Sequence, residues 1–139
     1  MQTLVTFVFK FLAALPLVWL HKLGNLLGSL GFRLLSKDRR RVFENMKLAG
    51  LNPTDEAVKK IFRETAKGGL ELPVAFFRRP EEIENLFVSV NGWEHVQTAL
   101  SAGEGLLFIT PHIGSYDLAG RYISQQLPFP LTAMYKPPK

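Results

Sequence analysis

The amino-terminal part of the chain consists of two apolar blocks with few polar residues. Residues 3–20 are apolar apart from Thr3, Thr6 and Lys10, and Pro16 interrupts the run. Residues 23–35 stay apolar but carry glycine at positions 24, 28 and 31. We interpret the first block as a membrane anchor and the second as a helix that packs closely or rests on lipid. A buried core helix is the alternative, and the pattern leaves open whether the anchor spans a bilayer or lies in its interface.

The next block predicts a short amphipathic helix with a basic start. Ser36 is suited to cap a helix that runs through Leu48, and Gly50 is suited to end it. Three consecutive arginines, residues 39–41, lie in its first turns. This helix therefore places a cluster of cations directly after the apolar blocks.

A longer helix is predicted to start at Asn52-Pro53-Thr54, with Pro53 in its first turn. Its core positions lie at helical spacing: Val58, Ile61, Phe62 and Ala66. Pro73 is expected to break or kink the helix before it ends at Phe77. Glu71 interrupts the apolar stretch near that end, and we interpret it as a solvated glutamate.

Short apolar runs separated by turns replace the helical spacing in the second half of the chain. They predict strands at residues 86–90, 106–109 and 131–135, with helices at 93–100 and 115–126 between them. Right-handed crossovers would join these strands into a parallel sheet. The predicted fold class is α/β, with a helical amino-terminal region followed by a βαβαβ sheet that is incomplete at its carboxyl end.

The stretch LLFITPHIGSYD, residues 106–117, carries the clearest candidate chemistry. Pro111 cannot donate to a sheet ladder, so His112 should lie just beyond a strand's carboxyl end, where open α/β sheets place their sites. Asp117 falls in the first turn of the next helix, close enough to turn back toward the imidazole. A neutral imidazole accepts a proton from a hydroxyl near pH 7, and a carboxylate on its other nitrogen fixes the tautomer.

The spacing of His112 and Asp117 also fits a loop histidine beside an aspartate that interacts with the helix dipole. The strand-then-helix context, and the lack of another histidine–acid pair in a comparable setting, favour catalysis.

Four further residues are candidate substrate contacts. The amides around Gly114 and Ser115, at a helix start that Ser115 can cap, are oriented to bind a phosphate or a developing oxyanion. Ser115 is disfavoured as a nucleophile, because its surroundings lack the second glycine of a hydrolase elbow. Arg121 and Lys136 follow the motif and are candidates for binding anionic groups.

The composition narrows the classes of function. Of 139 residues, 47% are hydrophobic and none is cysteine, which excludes disulfides, thiolate metal sites and a cysteine nucleophile. The three histidines lack the spacing of metal ligands, so we predict no metal and no other cofactor. Eleven phenylalanines give much aromatic surface of the kind that often meets acyl chains.

Positive charge is concentrated in the amino-terminal segment. The formal net charge is +5, yet residues 1–41 alone carry seven basic residues against one acidic residue. Cations beside an apolar stretch favour an anionic leaflet. Nucleic acid is not an expected partner, because no recognition-helix or aromatic-platform motif accompanies the cluster.

The segment PHIGSYDLAGR resembles the His-x4-Asp/Glu motif of lysophospholipid-type acyltransferases. The resemblance is closest to the lipid A biosynthesis lauroyl/myristoyl acyltransferases of Gram-negative bacteria. It extends to the apolar amino terminus, to RRRVFENMKLAGLNP, to the segment around Glu71 and to MYKPPK. The resemblance implies that His112 is a general base and Asp117 its partner. Many relatives carry glutamate where Asp117 stands and arginine where Lys136 stands.

The resemblance also implies substrates and a location. The acyl donor would be an acyl-carrier-protein thioester, the acceptor a lipid A precursor, and the site the cytoplasmic face of the bacterial inner membrane. Residues 1–35 would be a membrane-associated helical segment, and residues 36–139 the amino-terminal part of an α/β acyltransferase domain. Because relatives are considerably longer, the chain is expected to hold only the amino-terminal half, with weak or no activity on its own.

Two other functions stay open at this point. A glycerophospholipid acyltransferase would use the same histidine–acid pair on a lysophospholipid. A non-catalytic membrane-associated fragment would use only the basic amino terminus.

Overall fold

The computed structural model describes residues 2–103 and 105–134, and the regular elements within them are helices. The helices are α1 (Gln2–Ala14), α2 (Leu17–Leu34), α3 (Ser36–Leu48), α4 (Asp55–Phe77), α5 (Pro80–Glu84), α6 (Trp93–Ser101) and α7 (Tyr116–Gln126). The described residues form two compact units, which are divided between Arg78 and Arg79. The predicted functional boundary after residue 35 is a different division and stays a prediction.

The predicted parallel sheet is wrong, because the described residues contain no strand. Residues 86–90, 106–109 and 131–134 lie outside helices but do not pair with one another, and residue 135 lies outside the described part. Apolar side chains in these runs face solvent: Val88, Leu107 and Ile109 are 102%, 76% and 88% exposed. The composition of each run suits a strand, but a strand also requires a partner at hydrogen-bonding distance, which local composition does not specify.

Close packing of α2 against α4 organises the first unit. A Cβ atom added to Gly28 would lie 2.4 Å from the Cα of Arg63, and one added to Gly24 would lie 2.9 Å from the Cα of Lys67. Only glycine permits so short a separation between the helix backbones. Leu20 of α2 and Val58 of α4 are fully buried in the same unit. The prediction of a closely packed glycine-containing helix is confirmed.

A sharp bend separates α1 from α2 at Leu15 and Pro16. Among the described residues, no individual helix has the length and apolar character needed to cross a bilayer, and α1 and α2 meet that test only as a pair bent by 116°. Arg78, at the end of α4, donates hydrogen bonds to the carbonyl oxygens of Ala13 and Leu15, at 2.8 and 2.6 Å. The side chain of Arg78 thus satisfies acceptors that the end of α1 leaves without helical partners.

Local capping signals set the ends of the middle helices. Gly50 has a positive φ of 73°, and its amide and that of Leu51 donate to carbonyls of α3, as at a glycine-terminated helix end. The hydroxyl of Thr54 accepts from the amide of Ala57 at 3.2 Å and caps α4. The helix therefore begins at Asp55, and the prediction that Pro53 lies in its first turn is wrong. Pro73 does not break α4, which continues to Phe77.

The second unit contains α5, α6 and α7 around a small aromatic core. Tyr122 of α7 packs against Phe87, with ring centroids 4.4 Å apart, and against Trp93, at 6.4 Å. Ile83 of α5, Leu118 of α7 and Leu127, which follows α7, are buried in the same unit. The helices predicted at 93–100 and 115–126 are confirmed to within a residue.

Candidate active site

The candidate site lies on the turn that leads into α7. Residues 105–115 have no regular secondary structure, and the amide of Ile113 donates to the carbonyl oxygen of Pro111 at 2.8 Å. This three-residue turn places His112 at its centre, with the imidazole exposed to solvent. The position is open to an incoming hydroxyl, although the predicted sheet rim that was expected to support it is absent.

The imidazole of His112 packs on Tyr116 rather than on a carboxylate. The two ring centroids are 4.5 Å apart and the planes are inclined by 54°. Because Tyr116 is the first residue of α7, this contact connects the turn to the start of the helix.

Asp117 follows on the first turn of α7 and is half-buried. Within the described residues, no hydrogen bond or ion pair joins its carboxylate to His112. Catalytic hydrogen bonds are often long in the absence of substrate and tighten in the reactive complex, so this geometry leaves the predicted pairing a prediction.

The backbone between His112 and α7 is held by a glycine. Gly114 has a φ of 63°, which is left-handed and disfavours side-chain-bearing residues. Ser115 occupies the position before α7, but its hydroxyl makes no capping hydrogen bond. The Ser115 Oγ is buried without a partner. The expectation that Ser115 caps the helix is therefore wrong, and its hydroxyl keeps its hydrogen-bonding capacity.

Arg121 and Lys136 are the remaining predicted site residues. Arg121 is exposed and lies four residues after Asp117 on α7. Residues at this spacing lie on the same face of a helix. Lys136 lies outside the described residues. Within residues 2–103 and 105–134, no group of three or more histidine, cysteine, aspartate or glutamate residues is arranged to hold a metal ion.

A second histidine–acid pair in the first unit was missed by sequence reasoning. His21 Nε2 and Glu71 Oε1 are 2.6 Å apart and join α2 to α4. Glu71 is buried, so its interpretation as a solvated glutamate is wrong. The residues are fifty positions apart, and the only local signal is a polar residue in each of two apolar stretches.

An ion pair on α4, between Lys67 and Glu64, lies close to His21. Lys67 donates to Glu64 at 2.8 Å, and this hydrogen bond lowers the pKa of the Glu64 carboxyl. His21 adds a smaller effect in the same direction. The His21–Glu71 contact thus joins the two helices next to solvated charges, which is an arrangement suited to holding α2 on α4.

Comparison with known proteins identifies the family of the chain. The profile of the bacterial lipid A biosynthesis acyltransferases matches residues 1–139. No curated protein and no solved structure gives a significant match. Because the match covers the whole chain and includes the exposed His112 turn, the protein belongs to the bacterial lipid A biosynthesis acyltransferase family.

Proposed function

We propose that the chain takes part in transfer of a fatty acyl group from an acyl-carrier-protein thioester to a hydroxyl of a lipid A precursor. The observation that carries the proposal is the family match over residues 1–139, which includes His112 and Asp117 at their motif spacing. The exposure of His112 supports access by a hydroxyl.

In the proposed reaction, His112 accepts the proton of the lipid hydroxyl while that oxygen attacks the thioester carbonyl carbon. An ester C–O bond forms, the C–S bond breaks, and the departing thiolate takes the proton from the imidazolium. Asp117 would turn toward the imidazolium and stabilise its charge. General-base assistance of this kind contributes about 10²–10⁴-fold to a rate.

Anionic groups of the substrates would be bound close to that base. The first amides of α7, which begins at Tyr116, have no acceptor within the helix and favour a negative charge. The hydroxyl of Ser115, buried without a partner, can supply one more hydrogen bond. Arg121 and Lys136 stay the proposed contacts for phosphate groups, and the acidic surface of an acyl carrier protein suits the basic amino-terminal segment.

We further propose that this chemistry takes place at the cytoplasmic face of the bacterial inner membrane. The lipid acceptor is membrane-bound, and the first unit carries both apolar surface and positive charge. Exposed apolar side chains line α1 and α2, among them Phe7, Phe11, Trp19 and Leu26.

A donor and acceptor comparison tests the substrate assignment. Acyl-carrier-protein and coenzyme A thioesters of one fatty acid are each offered with a lipid A precursor or with a lysophospholipid. The assay uses the 139-residue chain and a chimera in which it replaces the corresponding residues of an active family member. We expect the chimera to form product with the acyl-carrier-protein donor and the lipid A precursor. Turnover of the lysophospholipid alone would favour the glycerophospholipid function instead.

A further inference from the structure

Exposed apolar side chains form a row on each of α1 and α2, and we call the two rows together the apolar stripe. Its members are Leu4, Phe7, Val8, Phe11, Trp19, Leu26, Leu30 and Leu34. Within each helix these positions recur at spacings that place them on one side. Several are largely exposed, with Phe7 at 68%, Leu26 at 66% and Leu34 at 69%. So large an apolar surface marks an interaction site.

The opposite side of α2 is held against a helix that carries many charges. Gly24 and Gly28 contact α4 at backbone distance, and Arg63 of α4 donates to the hydroxyl of Ser29 at 2.9 Å. Along the same length α4 exposes charged groups, among them Lys60 and Glu64. Moving α2 across a bilayer with α4 attached would carry these charges into hydrocarbon, which is costly.

Cations lie along the apolar stripe and directly after it. Lys22 places its ammonium group 5.2 Å from the ring centroid of Trp19. Arg33 lies in the last turn of α2, and α3 begins with further basic residues. Tryptophan and flanking cations are characteristic of the membrane–water interface, where the ring and the alkyl stems contact lipid and the charges meet phosphate. This complementarity selects an anionic lipid surface as the partner.

We propose that α1 and α2 bind side-on to an anionic bilayer, with the apolar stripe in the interface and both ends of the helix pair on one side of the membrane. This proposal deepens the proposed function, on which it rests for the presence of a membrane. Leu27 and Leu35 line a groove of about 350 Å³ between α2, α3 and α4. A lipid acyl chain can cover this groove.

The depth of Trp19 tests the orientation directly. The chain has two tryptophans, so Trp93→Phe leaves Trp19 as the sole indole fluorophore. The variant is added to vesicles of equimolar phosphatidylcholine and phosphatidylglycerol that contain brominated lipid. We expect stronger quenching by lipid brominated near the glycerol than by lipid brominated near the chain methyl. The opposite order, or no quenching, would overturn the proposal.

Substitution of the apolar stripe tests which surface binds. Leu30→Glu should weaken binding to the same vesicles about tenfold or more, because it places a charge where an exposed apolar side chain would otherwise contact lipid. Leu48→Glu is the matched control, since Leu48 is exposed at the end of α3 outside the stripe. Circular dichroism establishes that both variants keep their helices. Equal binding by the two variants would contradict the proposal.

Lipid charge and sidedness complete the test. Vesicles of phosphatidylcholine alone should bind the chain about tenfold more weakly or worse, because the cations no longer meet a negatively charged surface.

The chain contains no cysteine, so Thr3→Cys and Ser36→Cys report the two ends of the helix pair separately. In inside-out membrane vesicles both should react with an impermeant maleimide. Reaction at only one end would demonstrate a span and overturn the proposal.

Two outcomes separate this proposal from the proposed function. His112→Ala should bind vesicles as the unchanged chain does, whatever its effect on transfer. If sedimentation instead shows that Leu30→Glu converts a dimer into a monomer while vesicle binding is unaffected, the stripe is an interface between copies and the lipid proposal is overturned.

Discussion

Gly114 fixes the conformation of the turn between His112 and α7. Its φ of 63° strains any residue with a Cβ, although no atom lies within 4 Å of the position that a Cβ would take. Gly114→Ala should therefore cost about 1–2 kcal/mol of local conformational energy. We expect the turn to shift and acyl transfer to fall about tenfold or more, measured as initial rate with saturating donor.

Gly105→Ala is the matched control for this change. Gly105 lies in the same irregular segment, has equally open surroundings and carries no positive φ. Its rate should stay within about twofold of the unchanged chain, given that unstrained surface substitutions alter stability by less than about 0.5 kcal/mol. Equal rates for the two alanine variants would show that the left-handed turn has no part in the site.

The His21–Glu71 contact is expected to stabilise the first unit. His21→Ala leaves the buried Glu71 carboxyl without its hydrogen-bond partner, at a cost of about 1–3 kcal/mol. The His21 side chain is 40% exposed, so water entering the site should keep the loss toward the lower end. Urea unfolding followed by circular dichroism measures the change.

His95→Ala provides the comparison, because the His95 side chain is 86% exposed. It should change the free energy of unfolding by less than about 0.5 kcal/mol. The stabilising role is refuted if His21→Ala and His95→Ala unfold at the same urea concentration.

At the scale of elements, glycine spacing determines how α2 meets α4. A Cβ on Gly28 would lie 2.4 Å from the Cα of Arg63 and 2.6 Å from the carbonyl oxygen of Phe62. Both are backbone atoms and cannot move aside by a change of rotamer. Gly28→Ala should therefore force the helices apart and lower the free energy of unfolding by about 1–3 kcal/mol.

Gly69→Ala, within α4, should have the opposite sign. No atom lies within 4 Å of a Cβ built there, and alanine is favoured over glycine in a helix by about 0.5–1 kcal/mol. Thermal unfolding of both variants gives the test. A Gly28→Ala protein as stable as the Gly69→Ala protein would mean that the close approach does not hold the helices together.

The helical elements could be predicted because their signals are local. The glycine that ends α3 and the apolar spacing of α7 each lie within a few residues of the feature they specify. The predicted strands were wrong because strand pairing is not a local property. Leu106–Ile109 and Leu86–Val90 have strand-like composition, but pairing depends on distant residues that the pattern does not name.

The candidate site likewise has features that the local sequence predicts and features that it does not. The end of the apolar run before His112 and the turn at Gly114 follow from proline and glycine in the sequence. The start of α7 was predicted to within a residue, although Ser115 does not cap it. The contact of His112 with Tyr116 and the burial of Glu71 against His21 could not be foreseen. Each depends on side-chain geometry or on a partner far along the chain.

At the scale of the molecule, the two units divide the proposed work. Residues 1–78 hold the apolar stripe and the cations, and residues 79–139 hold the His112 turn. This division explains why charge and apolar surface are concentrated in the first unit. Lipid binding and acyl transfer can therefore be measured separately, with variants of the first unit and of the second unit.

The most direct test of the account is acyl transfer by His112→Ala beside His95→Ala, which removes another exposed histidine of the same unit. Labelled acyl product is quantified by mass spectrometry, with both substitutions made in the chimera with an active family member. The account predicts that His112→Ala lowers the rate by about 10²–10⁴-fold while His95→Ala leaves it unchanged. Equal rates for the unchanged, His112→Ala and His95→Ala proteins would contradict a base at His112.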